Sequence, residues 1–263
     1  MMNNSNRQPH ILITRPLKQA QALSEALQNI GVAPIIFPTL EIVPCINHPS
    51  LQQVQKDFSM IDIAIFTSAN AVECALNQLT VDLFLLSSHL RIAAIGDATA
   101  RKLNEYGLEV SMKPVGRFAS EGLLAHPELQ HVSQKNIALF CGEASRPLLA
   151  DTLKQRGAKV RSVIVYRRQI PQLDVATHIM MWQQHGVDMI ICTSKEALNN
   201  LMRMVNDNVR QWLQTIPLLV LSNSVADVAR EYGWCQQIMV SAQADDSALI
   251  DSVKRWLAQR ITK

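Results

Sequence analysis

The sequence predicts an α/β chain in which one doubly wound, parallel-sheet unit occurs twice. Three observations carry this. Short apolar runs alternate with helix-period stripes along the whole chain. The stretch Ile63–Phe66, Thr67-Ser68, then Val72, Ala75, Leu76 and Leu79 recurs as Met189–Cys192, Thr193-Ser194, then Leu198, Leu201, Met202 and Val205. The copies lie 126 residues apart, and the same spacing carries Glu105-Tyr106-Gly107 onto Glu231-Tyr232-Gly233 and Ile11, Leu23, Leu27 and Gly31 onto Ile137, Leu149, Leu153 and Gly157. A fixed period without a gap sets the architecture before any single element is placed.

Taken in order, Ile11–Thr14 reads as a buried strand, and Arg15-Pro16 turns it into a helix whose inner side is Ala20, Leu23, Leu27 and Ile30. Gly31 stops that helix in the left-handed position that follows a helix end. Val32–Phe37 is a second strand. Residues 38–44, proline at both ends, read as an extended linker, because proline removes a donor and restrains its predecessor. Strand Ile63–Phe66 and its helix follow, with Ser68 as N-cap. Val81–Leu86 reads as a helix end or loop.

Ile92–Ile95 is a strand, Asp97 the cap of the helix 98–106, Gly107 its end, and Leu108–Met112 a further short strand. A helix starts over Phe118–Leu124 with Ser120 as cap. Ile137–Phe140 and Val160–Val165 are strands on either side of a helix stopped by Gly157. The second of these leads to Tyr166-Arg167-Arg168, and Ile170-Pro171, within residues 167–172, reads as a second extended linker. Met189–Cys192, Leu218–Leu221 with Asn223 as cap, a helix stopped by Gly233, strand Ile238–Val240 and helix Ala248–Ala258 complete the chain.

This alternation, about ten strands each followed by a helix or turn, means parallel sheets with right-handed crossovers. Two sheets of five fit the repeat. The halves pair in one of two ways, consecutively or with the middle inserted into a discontinuous first domain. The two Pro-flanked linkers favour the second, with residues 1–38 plus 172–263 as one domain, 39–171 as the other, and the two linkers side by side.

The chain has 263 residues, enough for two domains. With 48% hydrophobic and 5% aromatic residues it suits a packed core of Leu, Ile, Val and Ala. A net charge of +3 with no long basic run gives no case for nucleic acid. Five cysteines, odd in number and without C-x-x-C, read as reduced thiols of a cytoplasmic protein. The seven His form no metal-ligand spacing. The first ten residues lack a signal-peptide core, and no run reaches membrane-spanning length.

Strand ends carry the candidate site, since open α/β sheets bind ligands outside the carboxyl ends of their strands. Thr67, Ser68, Thr193 and Ser194 combine hydroxyls with helix N–H groups, a combination that suits carboxylate or phosphate. Each also reads simply as a cap. Gly96, with Thr99 behind it, and Gly142 are turns where a ligand can approach the backbone. Arg15 and Arg146 match carboxylates bidentately. Ser222 belongs to the corresponding turn of the other copy. Tyr166 ends an apolar strand, where a phenol can give a proton to a leaving oxygen. There is no G-x-G-x-x-G, P-loop, catalytic triad or acid–base carboxylate pair.

Together these segments resemble the uroporphyrinogen-III synthase family. The likeness runs through Ile-Leu-Ile-Thr-Arg-Pro at 11–16, Phe-Pro-Thr-Leu-Glu-Ile at 37–42, Phe-Thr-Ser-Ala-Asn-Ala-Val at 66–72 and Ile-Gly-Asp-Ala-Thr-Ala at 95–100. It continues through Cys-Gly-x-x-x-Arg-x-x-Leu at 141–149, Arg-Gly-Ala-Lys-Val at 156–160, Val-Tyr at 165–166, Thr-Ser at 193–194 and Leu-Val-Leu-Ser at 219–222. The resemblance implies two flavodoxin-like domains joined by a two-stranded linker. It implies a monomeric, cofactor-free lyase of haem and sirohaem biosynthesis acting on the linear tetrapyrrole hydroxymethylbilane. Water is lost, ring D inverts through a spiro intermediate, and the macrocycle closes as the type III isomer, with Tyr166 at the position of the family's proton donor. Many members have Ile-Gly-Pro-Thr-Thr-Ala where this chain has Leu-Ser-Asn-Ser-Val-Ala at 221–226. Two other readings fit two α/β lobes: a non-enzymatic binding protein for an anionic small molecule, and a glycosyltransferase-like enzyme. The missing export signal speaks against the first and the short chain against the second.

Overall fold

A computed structural model of the protein describes residues 7–80, 89–115, 119–243 and 245–261. Its elements run β1 (His10–Ile13), α1 (Leu17–Gln28), β2 (Ala33–Ile36), β3 (Glu41–Pro44), α2 (Pro49–Lys56), β4 (Ile63–Phe66) and α3 (Ala69–Leu76). Then come β5 (Arg91–Ala94), α4 (Asp97–Glu105), α5 (Ala119–Leu124), α6 (Pro127–Gln130), β6 (Asn136–Gly142), α7 (Leu148–Gln155) and β7 (Lys159–Gln169). The last are α8 (Val175–His185), β8 (Met189–Cys192), α9 (Lys195–Met204), α10 (Asp207–Leu213), β9 (Leu218–Val220), α11 (Asn223–Glu231), β10 (Ile238–Val240) and α12 (Asp246–Ile261). Two compact units result, Met1–Glu41 with Gln169–Lys263 (unit 1) and Ile42–Arg168 (unit 2).

Unit 1 is a five-stranded sheet in the order β2-β1-β8-β9-β10, every pair parallel. Buried on both faces, its central strands β1, β8 and β9 are apolar runs. Leu12, Ile190 and Leu218 point to a layer made with Trp182 of α8, Leu198 and Leu201 of α9, and Ala226 of α11. Ile11, Ile13, Met189 and Ile191 point to the other side, against Leu23 and Leu27 of α1 and Leu249 and Val253 of α12. Each such fully buried aliphatic side chain contributes about 1.5–3 kcal/mol.

Unit 2 has the order β3-β7-β6-β4-β5. The β7-β6-β4-β5 pairs are parallel. β3 runs the other way against the end of β7: Gln169 Nε2 donates to Glu41 Oε2 (3.0 Å), and Cys45 N–H to the Val165 carbonyl (3.0 Å). Phe66 and Phe140 stack at 4.7 Å on the face covered by α2, α3 and α4. Ile63, Ile65, Ile137 and Leu139 face α5, α6 and α7.

The 126-residue spacing reappears in three dimensions. β6 begins 126 residues after β1, β7 after β2, and β8 after β4. Gly31 and Gly157 both sit at positive φ (81° and 85°), as do Gly107 and Gly233 (75° and 82°). At the amino edges Asp62 accepts the Asn136 N–H and Asp188 the His10 N–H, each at 2.8 Å.

Several local expectations differ. Asp97 and Asn223 are first helical residues, not caps; Gly96 and Ser222 hold the cap positions, and Asp97 instead complements the positive helix start from within the first turn. Ser120 lies inside α5. Leu108–Met112 forms only a bridge, Met112 to Ala93. Helices α2, α6, α8 and α10 were absent from the sequence reading. α2 hides because glutamines flank its two buried apolar residues, Leu51 and Val54. The Val81–Leu86 segment and Phe118 lie outside the described residues.

Candidate active site

In each sheet the chain proceeds outward in one direction and then in the other, and the reversal sets the carboxyl ends of two adjacent central strands side by side, where open α/β sheets bind ligands. In unit 2 these are β4 and β6. Thr67 closes β4, its N–H and its hydroxyl both donating to the Phe140 carbonyl (3.1 Å each). Ser68 follows as N-cap of α3, its Oγ accepting the Ala71 N–H at 3.0 Å. The same Oγ lies 3.2 Å from the Tyr166 hydroxyl.

Tyr166, 6% exposed, is paired in the sheet with Gly142, just past a register shift in β6. The ring fills the space a side chain would need: a Cβ built on Gly142 would stand 2.7 Å from Tyr166 Cζ. Glycine is thus required at 142 by the chain's own packing. Gly96 differs. Its backbone is extended (φ 179°), which suits any residue, and a Cβ there would meet nothing within 4 Å. Among the described residues nothing demands glycine at 96. Thr99 is buried on the inner side of α4, directly after the turn. Arg146 is exposed in the turn between β6 and α7, with no hydrogen bond or ion pair among the described residues.

In unit 1 the reversal falls between β1 and β8. Ser194 caps α9 through the Ala197 N–H (3.0 Å). Thr193 Oγ1 accepts from Arg15 Nε at 3.3 Å. Arg15 Nη1 is ion-paired with Asp246 of α12; the arginine side chain is 11% exposed and the carboxylate 45%. Arg15 is therefore engaged within its own unit. Ser222 Oγ pairs with Ser224 Oγ at 3.0 Å and makes no cap bond.

Beneath this edge lies a buried set that the sequence reading passed over. Thr14 Oγ1 donates to the Ile191 carbonyl, Thr39 Oγ1 to the carbonyls of Thr14 and Ala197, and Asn200 Nδ2 to the Thr39 carbonyl. Burial raises the Cys192 thiol to about 11, against hydrogen bonds with Thr14 and Ser194 that act in the opposite sense, and it also raises Cys141. Both remain thiols at neutral pH and offer no nucleophile. Among the described residues no cluster of His, Cys, Asp and Glu could hold a metal ion, and no helix is long and apolar enough to cross a membrane.

The family model described as uroporphyrinogen-III synthase HemD matches residues 21–251. The chain belongs to the uroporphyrinogen-III synthase family. It is 35% identical over 246 residues to the uroporphyrinogen-III synthase of Salmonella typhimurium, covering 93% of this chain and 99% of that one. With the Escherichia coli enzyme of the same name it shares 34% over 245 residues, again 93% and 99%. A crystal structure of a mutant uroporphyrinogen III synthase from Thermus thermophilus aligns over 95% of this chain and 99% of its own, at 21% identity and TM-score 0.61. One from Helicobacter pylori aligns over 95% and 100%, at 14% and 0.60. At those identities the structures show the shared α/β, parallel-sheet fold.

Within this family chain, the residues brought together are Thr67, Ser68, Gly142 and Tyr166 in unit 2, and Arg15, Thr193 and Ser194 in unit 1. Asp246 had no sequence signal, since its partner is 231 residues away. Thr39 carried a weak one, inside the linker motif Phe-Pro-Thr-Leu.

Proposed function

We propose that the chain converts hydroxymethylbilane into the type III macrocycle, with loss of water and inversion of ring D, and that Tyr166 is the proton donor to the departing hydroxyl. The observation that carries this is the phenol at the carboxyl edge of the unit 2 sheet, backed by Gly142 and within hydrogen-bond reach of Ser68. The step balances simply. The carbon–oxygen bond breaks with its electron pair on oxygen, the phenol supplies the proton, and water leaves. The proton returns to the phenolate when the pyrrole carbon that closes the ring regains aromaticity and sheds its own.

Gly96 and Arg146, at the carboxyl edge of the same sheet, offer backbone and guanidinium donors for a polycarboxylate, while Thr67, its hydroxyl donating to the Phe140 carbonyl, holds the turn. The open space above Gly96 supports a backbone contact there. Thr193, Ser194 and Ser222 offer donors at the unit 1 edge, while Arg15 and Thr99 act from behind as supports. We read both units as flavodoxin-like copies of one ancestor, in line with the recurring strands, glycines and aspartates. They are joined by the antiparallel β3–β7 pair, with domains near 1–38 plus 172–263 and 39–171. The active species on this reading is a cytoplasmic monomer without cofactor.

Positioning contributes roughly 7–11 kcal/mol and a general acid about 10²–10⁴-fold. The test is incubation with hydroxymethylbilane and separation of the product isomers. Wild type should give type III, and Tyr166→Phe should lower kcat by about one to three orders of magnitude while still giving type III. Only type I product from the wild type, or normal turnover by a folded Tyr166→Phe, would overturn the reading.

A further inference from the structure

We infer that Ser68 acts on the reaction through Tyr166, as the residue that positions the phenol and stabilises the charge left on its oxygen, and not as a contact to the ligand. This rests on the reading of Tyr166 as proton donor. A serine hydroxyl has one proton and two lone pairs. One lone pair of Ser68 Oγ is committed to the Ala71 N–H at 3.0 Å, because α3 needs its cap. The other side-chain atom in reach is Tyr166 Oη at 3.2 Å, and either oxygen can donate. Gly142 backs the ring closely enough to leave no room for a methyl group. The phenol is thus held at its face by a glycine and at its oxygen by a hydroxyl whose own oxygen is fixed by a helix.

The exchange needs only hydrogens to move. At rest the phenol, the stronger acid, donates to Ser68. With the leaving hydroxyl present, the phenol proton turns to it and the Ser68 O–H rotates to donate to Oη. Once the proton has gone, that bond becomes charge-assisted, and such bonds are about twice as strong as neutral ones. The Ser68 proton count does not change, so the step balances as written above. The corresponding serine in unit 1 has no such partner, since Leu40 stands 126 residues before Tyr166.

The test measures kcat and KM for hydroxymethylbilane on the full chain carrying Ser68→Ala, Ser68→Thr, Tyr166→Phe and the Ser68→Ala/Tyr166→Phe double change. Circular dichroism and thermal midpoints are recorded for each. Asn206→Ala, which removes the equivalent 3.0 Å cap from α10, controls for cap loss. Ser68→Ala should lower kcat about ten- to hundredfold at unchanged KM. Threonine, which can cap and donate, should restore most of the rate, and the double variant should be no slower than Tyr166→Phe. Asn206→Ala should leave kcat alone. Effects that multiply in the double variant, a raised KM at constant kcat in Ser68→Ala, or an equal loss in Asn206→Ala would overturn the inference while leaving a slow Tyr166→Phe intact. A Tyr166→Phe enzyme at full rate would instead remove the proton-donor reading, and this inference with it.

Discussion

The two Thr-Ser turns begin from the same local chemistry and acquire different neighbours. In each, a buried strand ends in Thr-Ser and the serine caps the helix at 3.0 Å. In unit 2 the adjoining strand ends supply Gly142 and Tyr166. At the matching places unit 1 has Pro16 and Leu40, and its turn is filled by Arg15, pinned between Thr193 and Asp246. One turn thus presents a hydroxyl to a titratable phenol, and the other neutralises an arginine internally. The lesson is that a cap motif does not define a site. The residues across the neighbouring strands decide whether its hydroxyl is structural or chemical.

The largest effect expected on this contrast comes from Gly142→Ala. Displacing the ring by even an ångström should cost about 10²-fold in kcat, read by steady-state kinetics on protein shown to be folded. A fully active Gly142→Ala would mean that the ring need not stand where it does. Next is Asp246→Ala, which leaves a mostly buried guanidinium without its carboxylate. Since Asp246 is nearly half exposed, the loss in unfolding free energy should be about 1–3 kcal/mol, smaller when combined with Arg15→Met. An additive pair would show the two side chains to be independent.

Smaller again is the shared cap. Ser68→Ala and Ser194→Ala each remove a cap worth about 1 kcal/mol; Ser68→Ala should cost more than Ser194→Ala, because it also leaves the Tyr166 hydroxyl without its partner, and equal denaturation midpoints would show that bond to be neutral for stability. Arg146→Ala should raise KM about two- to fivefold with kcat unchanged; an unaltered KM takes it out of the site. The smallest effect is on the acid side. Burial acts to raise the Asp62 carboxyl, but the Asn136 N–H and Lys135 outweigh it and hold it below its ordinary value. Its contribution is therefore complete above the ordinary aspartate range and lost as pH falls through the lowered value. Asp62→Asn should lower stability slightly at neutral pH, where that contribution is complete, change it least at low pH, and so flatten the acid limb of a stability–pH curve.

Strands were legible because burial on both faces makes them apolar runs, as at Ile63–Phe66 and Met189–Cys192, whose bounds match the observed β4 and β8; their order within each sheet was not. Helices with thin apolar sides were not. α8 buries only Trp182. Tyr166, Ser68 and Gly142 were each visible as residue types at strand ends. That the glycine exists for the tyrosine, and that the serine meets the phenol, depend on a register shift at Cys141/Gly142 that no local pattern announces. Arg15 was read as a ligand-facing charge for the same reason, since its counter-ion enters only with the last helix.

The pairing of β1 with β8 also has a consequence in time. Ile13 lies beside Ile191, 178 residues further along. A ribosome adding about 5–20 residues per second takes roughly 9–36 s to deliver that partner. Meanwhile every strand and helix of Ile42–Arg168 has already been made, so the middle of the nascent chain can fold while its beginning waits. During that wait β1 has β2 on one side and an open edge on the other, carrying Ile11, Leu12 and Ile13. Such an edge pairs readily with other chains, so the step most exposed to aggregation or to chaperone capture is the interval before β8 emerges.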